Sequence, residues 1–294
     1  MHAKLKTYLI LFGGVFALST SAIFVKLADA PSAVTAFYRL LFAGAMLSPF
    51  FILSRKCRAE VGALHGRQWI QIFAAGLFLA LHYVLWFESL NYTSTASSTV
   101  IVCLQPLFSL ALERFIGKKK IKSTALLGCA IALCGCAVIG AGDFQISGKS
   151  LIGDIMAFVA AGIISSYFYV GESVRREISA VTYSTLSYFT SALILLVYIL
   201  LRNDPLSGYS AGTWQAFAGI ALISTIGGQF VFNLLLKKLP ASAVTMGILG
   251  EPIGTCILAF LILHEKMVLQ QFLGILVIMT GMFVFFFLPE RKKH

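Results

Sequence analysis

One carboxylate in this chain falls near the centre of a long apolar segment. Glu251 lies within residues 241–263, and Pro252 follows it directly. A charged group in an apolar medium is costly, so a carboxylate in that position is a candidate for ligand binding or proton exchange. Pro252 removes one backbone hydrogen bond and frees a carbonyl nearby. We interpret Glu251 as a ligand-binding and proton-coupling candidate; the alternative is a protonated side chain that only hydrogen-bonds a neighbouring helix.

A related polar residue occupies the corresponding place in the first half of the chain. When the two halves are compared at an offset of 146 positions, Gln105 and Pro106 align with Glu251 and Pro252. Ser98 lies on a similar face of the same segment as Gln105, and we include both as candidate binding residues. Two polar side chains beside two prolines, related by this repeat, are expected to face each other across a central cavity. Two glycine pairs share the offset: Gly128 with Gly274, and Gly135 with Gly281.

Two further pairs of candidates show helical spacing. His82 and Trp86 are four residues apart, hence on one face of a helix, and could form an aromatic wall for an organic ligand. Gln229 and Asn233 have the same spacing, and amides deep in an apolar segment need either another helix or a ligand as partner. A lone histidine on an apolar helix is more often a hydrogen-bonded filler. No second histidine lies at this depth, so we predict no metal site.

The remaining candidates leave alternatives open. Arg39 lies about a turn and a half inside its apolar segment and could either pair with a ligand carboxylate or extend its charge outward to water. Ser166 and Tyr169 share another apolar segment and are further candidate binding residues.

Composition decides the class of protein. Of the 294 residues, 59% are hydrophobic and 12% are charged, against roughly 45–50% and ~25% in ordinary globular domains. A soluble protein of this size would need far more polar surface, which indicates an integral membrane protein. The net charge of +11 does not indicate nucleic acid, because the basic residues form short clusters between apolar segments. Five of the six cysteines lie in apolar stretches, where a free cysteine behaves as a small hydrophobic residue. We predict no cofactor.

Ten apolar segments approach the roughly 20 residues that a helix needs to cross a bilayer. They predict an all-α integral membrane fold. The first segment is expected to be retained, because it is longer than the apolar core of a signal peptide. Each half holds five segments, so the second half must enter the membrane inverted. The predicted units are one repeat at 1–142, an inverted repeat at 152–288 and a basic tail at 289–294. The segments are 7–27, 34–53, 69–88, 95–115, 123–142, 152–171, 181–201, 214–236, 241–263 and 269–288.

Lysine and arginine distribution predicts the orientation. With both termini in the cytoplasm, 18 basic residues fall on the inner side and three, Lys149, Arg202 and Lys266, on the outer side. Such an asymmetry is typical of multi-pass proteins with positive inner loops. We therefore expect a plasma-membrane protein with cytoplasmic N- and C-termini.

Inverted repeats with a binding site near the bilayer midplane are frequent in secondary transporters. A membrane-embedded lipid-modifying enzyme would need acid–base pairs or a metal cage, and a facilitative channel usually shows repeated filter rings. Both alternatives are less favoured, no enzyme activity is predicted, and without a glycine-rich phosphate loop ATP is not expected to drive transport. The expected partners are a small-molecule substrate and the lipid bilayer. The fifth and tenth segments are nearly free of polar groups and predict either scaffolding or a homodimer surface.

Several stretches carry a resemblance to a known family. They are Phe37–Ala43, His82–Leu90, Thr95–Ser98 leading to Gln105 and Pro106, and Ala241–Pro252 leading to His264 and Glu265. Together they make the chain resemble the drug/metabolite transporter superfamily, EamA type. The first half departs at Gly117-Lys118-Lys119, where Gly-Glu usually follows, and His264 stands where Gly is common. The resemblance implies export or exchange of small metabolites, often amino acids, by alternating access.

The predicted orientation can be tested by cysteine labelling. A single cysteine placed near Lys119, in a background without the native cysteines, should not react with a membrane-impermeant thiol reagent applied from outside, because this basic loop is expected to be cytoplasmic. Strong labelling of intact cells would overturn the orientation.

Overall fold

The structure is a computed structural model that describes residues 2–89, 91–93, 95–140, 148–262 and 269–288. Regular structure in these ranges is entirely helical. Nine helical segments there are long and apolar enough to cross a membrane, and Ser123–Ile139 is a shorter apolar helix between the fourth and sixth. The predicted ten-helix membrane fold is therefore confirmed. His264, Glu265, Lys266 and the tail 289–294 lie outside the described residues.

Most spans are single helices, but four of them are divided. The undivided spans are the second (Ser32–Leu53), third (Gly66–Ser89), fifth (Ser123–Gly140), sixth (Gly148–Val174), seventh (Ala180–Arg202) and tenth (Leu269–Phe287). The divided spans are the first (His2–Ser19, Ser21–Leu27), fourth (Thr95–Val102, Gln105–Phe115), eighth (Ala211–Gly219, a π-helix at Ile220–Phe230, Val231–Leu235) and ninth (Ala241–Ile248, Glu251–Ile262). A short helix that the sequence did not predict, Arg55–Ala63, joins the second span to the third.

The fourth and ninth spans break at equivalent positions of the repeat. The second helix of each span starts at Gln105 and at Glu251, which are 146 positions apart. Just before each start, a tighter turn closes with an i,i+3 hydrogen bond: Leu104 N–H to Ile101 C=O at 3.0 Å, and Gly250 N–H to Gly247 C=O at 2.9 Å. A proline follows each break, where it suits the first turn of a helix because its missing N–H is not needed there. The sequence repeat is therefore also a repeat of helix breaks.

Two serines contact these breaks from the opposite half of the chain, each sharing its hydroxyl hydrogen with a carbonyl of its own helix. Ser19 Oγ, in the first span, lies 3.0 Å from the carbonyl oxygen of Glu251. Ser165 Oγ, in the sixth span, lies 2.8 Å from the carbonyl oxygen of Gln105. The two serines are also 146 positions apart. Each repeat therefore supplies the helix that supports the break of the other, as an inverted pair requires.

The fifth and tenth spans pack against each other through their glycines. A Cβ atom on Gly128 would lie 2.6 Å from the carbonyl oxygen of Gly281, and one on Gly135 would lie 2.7 Å from that of Gly274. These backbones touch because no side chain intervenes, as in other membrane helix pairs with small residues. The glycine faces that the sequence offered as scaffolding or a dimer surface are therefore used inside one chain.

On the side of the predicted inner loops, the short helix Arg55–Ala63 anchors the seventh span. Glu60 accepts hydrogen bonds from the Ser179 amide at 3.0 Å and from the Thr182 hydroxyl at 2.5 Å. Burial raises the pKa of Glu60, but these hydrogen bonds outweigh it and hold the pKa below its usual range. The carboxylate stays ionised and caps the start of the seventh span.

The glycine contact predicts the effect of one added methyl group. Gly281→Ala should destabilise the protein by about 1–3 kcal/mol, because the new Cβ would meet the Gly128 backbone, which cannot rotate away. Thermal unfolding of the purified protein in detergent measures the change. Gly13→Ala is the matched control, since a Cβ there meets nothing within 4 Å and the helix gains a better helix former. Equal unfolding temperatures for the two variants would contradict the packing role.

Candidate functional site

Arg39 lies inside the helix bundle rather than at its surface. Its side chain is 2% exposed, Nε donates to Thr225 Oγ1 at 3.1 Å, and Nη1 donates to Ser21 Oγ at 3.3 Å. The guanidinium carbon lies 4.9 Å from the ring centre of Tyr83, within the range of a cation–π contact. Of the two alternatives that the sequence left open, the structure places the charge inward.

The π-helix of the eighth span positions the main acceptor for Arg39. Thr225 Oγ1 donates to the carbonyl of Ile220, five residues earlier, at 3.0 Å. That spacing matches the π-helical repeat, and it leaves the oxygen lone pairs free to accept from Arg39. Single turns of π-helix are frequent at functional sites because they redirect one side chain relative to the α-helical register.

One guanidinium nitrogen of Arg39 remains without a hydrogen-bond partner. Nη2 is buried and unpaired, and the ion pairs found among the described residues do not include Arg39. Its charge nevertheless interacts electrostatically with Glu251 of the ninth span and with His82 of the third. Tyr83 interacts with both Arg39 and Glu251. The cation and the carboxylate therefore influence each other electrostatically without forming an ion pair, and Nη2 remains an unused hydrogen-bond donor.

His82 and Trp86 form the expected aromatic face. Their rings stack with centres 5.8 Å apart and planes inclined by 19°. His82 Nδ1 lies 3.1 Å from the carbonyl oxygen of Ala160 in the sixth span, so it donates to the backbone and is held in place. Trp86 Nε1 is buried without a partner. The aromatic pair thus offers one fixed face and one free N–H donor.

A second polar group surrounds Asn233 near the C-terminal end of the eighth span. Asn233 Nδ2 lies 2.7 Å from Tyr167 Oη, 2.9 Å from Ser184 Oγ and 3.4 Å from Tyr188 Oη. Tyr167 also interacts with Gln229, which lies one turn before Asn233 in the eighth span. The charge of Arg39 also acts electrostatically on Tyr188 of this group. Here the sixth, seventh and eighth spans meet.

Among the described side chains, all but one of the buried polar atoms without a partner belong to residues predicted from the sequence, the exception being Thr185. Buried polar groups in proteins are nearly always hydrogen-bonded, so each exception calls for a ligand or a water molecule. Donors and acceptors are both represented, which suits an organic ligand that carries both. Among the described side chains, these atoms are Arg39 Nη2, Trp86 Nε1, Gln105 Oε1, Thr185 Oγ1, Gln229 Nε2 and Asn233 Oδ1.

Two predicted serines lie apart from this group. Ser98 Oγ is 2.6 Å from Ser89 Oγ and links the third and fourth spans. Ser166 Oγ donates to the carbonyl of Gly162 at 2.9 Å, in its own helix, and the residue borders an apolar groove between the fourth and sixth spans. Both hydroxyls are therefore satisfied within the protein.

The sixth span presents a different tyrosine from the one predicted. The hydroxyl of Tyr169 lies against Gly117, at the end of the fourth span, whereas Tyr167 points into the polar group. Two residues along an α-helix differ by about 200° around its axis, so the two rings must face opposite sides. Sequence reasoning also missed Thr225, although it continues the four-residue spacing of Gln229 and Asn233 and could have been found from that signal.

Two apolar grooves flank the breaks without joining the polar group. One, of about 450 Å³, lies between the first, ninth and tenth spans, and the other, of about 330 Å³, lies between the fourth and sixth. Phe16 faces Gly254 in the first groove, and Phe108 faces Gly162 in the second. These four positions are equivalent in the repeat, with phenylalanine and glycine exchanged. The grooves are thus a further trace of the two-fold relation.

The start of the ninth span is held by two carboxylates. Glu172 accepts from the Ala241 amide at 3.0 Å, and Glu113 accepts from the Ser242 amide at 2.8 Å. Glu172 also pairs with Lys119 at 2.7 Å. Lys119 belongs to the Gly-Lys-Lys sequence where the first half departs from the expected Gly-Glu, and the structure gives that departure a local role. Negative side chains at a helix N-terminus are favourable because the free amides there carry partial positive charge.

The described residues contain no cluster of three or more His, Cys, Asp or Glu side chains that could hold a metal ion. The site is built instead from one buried cation, one carboxylate, aromatic rings and amides. It can therefore bind a small organic molecule by charge, hydrogen bonds and stacking.

Comparison with known proteins gives the same picture of the whole chain. The EamA-like transporter family matches twice, over residues 5–141 and 151–287, again at an offset of 146. The uncharacterized transporter YwfM of Bacillus subtilis (strain 168) is 25% identical over 87% of this chain and 84% of its own length. An uncharacterized transporter of Archaeoglobus fulgidus is 22% identical over 98% of this chain and 99% of its own.

A similar fold has been determined experimentally. A crystal structure of another protein superposes with a TM-score of 0.80, covering 95% of this chain and 96% of that one, at 16% sequence identity. At this identity the likeness shows the fold alone. The two family matches, which together cover almost the entire sequence, show that this chain belongs to the EamA-like transporter family and is a multi-pass membrane transporter.

Proposed function

We propose that this protein exports or exchanges small zwitterionic metabolites, such as amino acids, through the group of side chains around Arg39 and Glu251. The observation that carries the proposal is the unpaired Nη2 of the buried Arg39, whose charge acts at a distance on Glu251 at the break of the ninth span. A zwitterion supplies a carboxylate for the guanidinium and an ammonium for Glu251. Trp86 and His82 would pack against the remainder of the substrate.

The charge balance of this site favours proton coupling at Glu251. In the empty site, the positive charge of Arg39 partly compensates an ionised Glu251. A substrate carboxylate bound to Arg39 removes that compensation, so Glu251 then needs either the substrate ammonium or a proton. Competition between the two for one carboxylate is sufficient for antiport, because a carrier with an uncompensated buried charge crosses between states at high cost. The rival account is facilitated diffusion, in which Glu251 only hydrogen-bonds the substrate.

The repeat supports alternating access as the transport mechanism. Two inverted repeats of equivalent structure can exchange roles, which makes outward-open and inward-open states similar in energy. The equivalent contacts of Ser19 with Glu251 and of Ser165 with Gln105 are suited to such an exchange, because either can weaken while the other stays intact. We place the cycle in the plasma membrane, with both termini cytoplasmic.

Glu251→Gln separates coupling from simple binding, because it keeps the hydrogen-bonding shape and cannot titrate. In proteoliposomes loaded with amino acids, the variant should retain substrate exchange and lose the response to an imposed pH gradient. Glu88→Gln is the matched control, since Glu88 pairs with Arg202 at the far end of the third span. A full pH response in Glu251→Gln, or none in the wild type, would rule out the proton role.

Arg39→Lys tests the substrate carboxylate. Lysine keeps the charge but lacks the two-nitrogen fork that binds a carboxylate, so KM for amino-acid exchange should rise by about tenfold or more. Exchange of amines that lack the carboxylate should be the same in Arg39→Lys as in wild type. Arg202→Lys is the control substitution at a surface ion pair. A wild-type KM for amino acids in Arg39→Lys would show that the substrate carboxylate binds elsewhere.

A further inference from the structure

The amide of Asn233 is fixed at one end and free at the other. Three hydroxyl groups, from Tyr167, Ser184 and Tyr188, surround its Nδ2 at 2.7–3.4 Å. The residue is 0% exposed, and its Oδ1 has no partner. The hydroxyls hold the Nδ2 end of this amide, so its Oδ1 is left as a free acceptor.

A second buried amide, Gln229, lies four residues earlier in the same span. It is 4% exposed, and its Nε2 has no hydrogen-bond partner. Residues four apart lie on the same face of a helix, about 6 Å apart along its axis. The eighth span therefore presents one free acceptor and one free donor, about one turn apart and both buried. We name Asn233 and Gln229 together the amide pair.

Helix packing alone does not account for the amide pair. An unpartnered buried polar atom destabilises a protein, and apolar side chains of similar size would fill these positions without that cost. Membrane helices do use amides to bond each other, but here one polar atom of each amide has no such partner. A donor and an acceptor left free next to each other are complementary to a group that also carries both.

We propose that the amide pair binds a side-chain carboxamide, so that the transporter prefers zwitterions bearing such a group, of which glutamine is the simplest probe. Gln229 Nε2 donates to the carboxamide oxygen, and the carboxamide nitrogen donates to Asn233 Oδ1. This inference rests on the proposed function for the other end of the substrate, which Arg39 and Glu251 hold.

The amide pair follows the Arg39 contact in order along the eighth span. Thr225 contacts Arg39, Gln229 follows four residues later, and Asn233 four after that. Each step advances about 6 Å in an α-helix and somewhat less in the π-helical part. A substrate whose α-carboxylate lies on Arg39 would direct its side chain along the span toward Gln229, the nearer member of the amide pair, and a terminal carboxamide would bridge from Gln229 to Asn233.

The test compares ligands that differ in the carboxamide alone. Full-length protein is reconstituted in proteoliposomes, and counterflow of glutamine is measured against methionine, which is similar in size and has no carboxamide. Wild type should prefer glutamine by about tenfold to a hundredfold. Asn233→Leu and, separately, Gln229→Met should reduce that ratio to near one while methionine exchange persists. Gln215→Met is the control, an exposed glutamine of the same span.

A parallel measurement distinguishes this inference from the proposed function. Glutamine and the simple amide propionamide are added to the purified protein, and the shift in unfolding temperature is recorded for wild type and for Asn233→Leu. Shifts that need Asn233, without any amino-acid exchange, would support the amide pair and overturn the proposed function. Equal exchange of glutamine and methionine by wild type would overturn only the role of the amide pair. The free atoms of Asn233 and Gln229 would then be hydrogen-bonded by water. If wild type shows no amino-acid exchange and no shift in unfolding temperature, both the amide pair and the proposed function are overturned.

Discussion

The equivalent breaks of the fourth and ninth spans are the constraint on which the rest of this structure depends. A helix interrupted inside a bilayer exposes backbone groups where no water can bond them, so protein must surround the interruption. Tighter turns before Gln105 and Glu251 recover part of the hydrogen bonding, and prolines follow where an N–H is not needed. The first and sixth spans pack against the breaks through Ser19 and Ser165. The breaks thereby require the first span to lie next to the ninth and the sixth span next to the fourth.

The breaks also set the electrostatics of the interior. They put a helix N-terminus at Glu251, where the free amides favour a negative side chain. Arg39 supplies the opposite charge from the second span, and the π-helix of the eighth span aims Thr225 at it. Isolating a guanidinium at this depth would cost several kcal/mol, so its hydroxyl partners and the Tyr83 ring are needed to keep it buried. The unpaired Nη2 is the part of that charge which the protein itself does not satisfy.

Site residues could be predicted where their spacing within one helix puts them on a common face. They could not be predicted where their position depends on contacts among several helices. His82 with Trp86, and Gln229 with Asn233, follow from four-residue spacing within one span, and the structure brings both pairs into the interior. Tyr169 was chosen over Tyr167 because periodicity gives the relative direction of two side chains and not which direction is inward. In sequence, Ser98 and Ser166 cannot be told from serines that bind a ligand. In the structure, the hydroxyl of Ser98 bonds Ser89, and that of Ser166 bonds the carbonyl of Gly162.

The sequence by itself determined the membrane class, the ten spans, the inverted duplication and the residues with unusual polarity for their depth. These follow from composition, from segment length against bilayer thickness, and from the 146-residue offset, all of which are local or additive properties. The direction of Arg39, the π-helix, the short helix at Arg55–Ala63 and the hydroxyl cluster at Asn233 were decided only by tertiary structure. Each depends on which distant span supplies a hydrogen-bond partner. That choice is made by packing ten helices at once, and no single segment carries it.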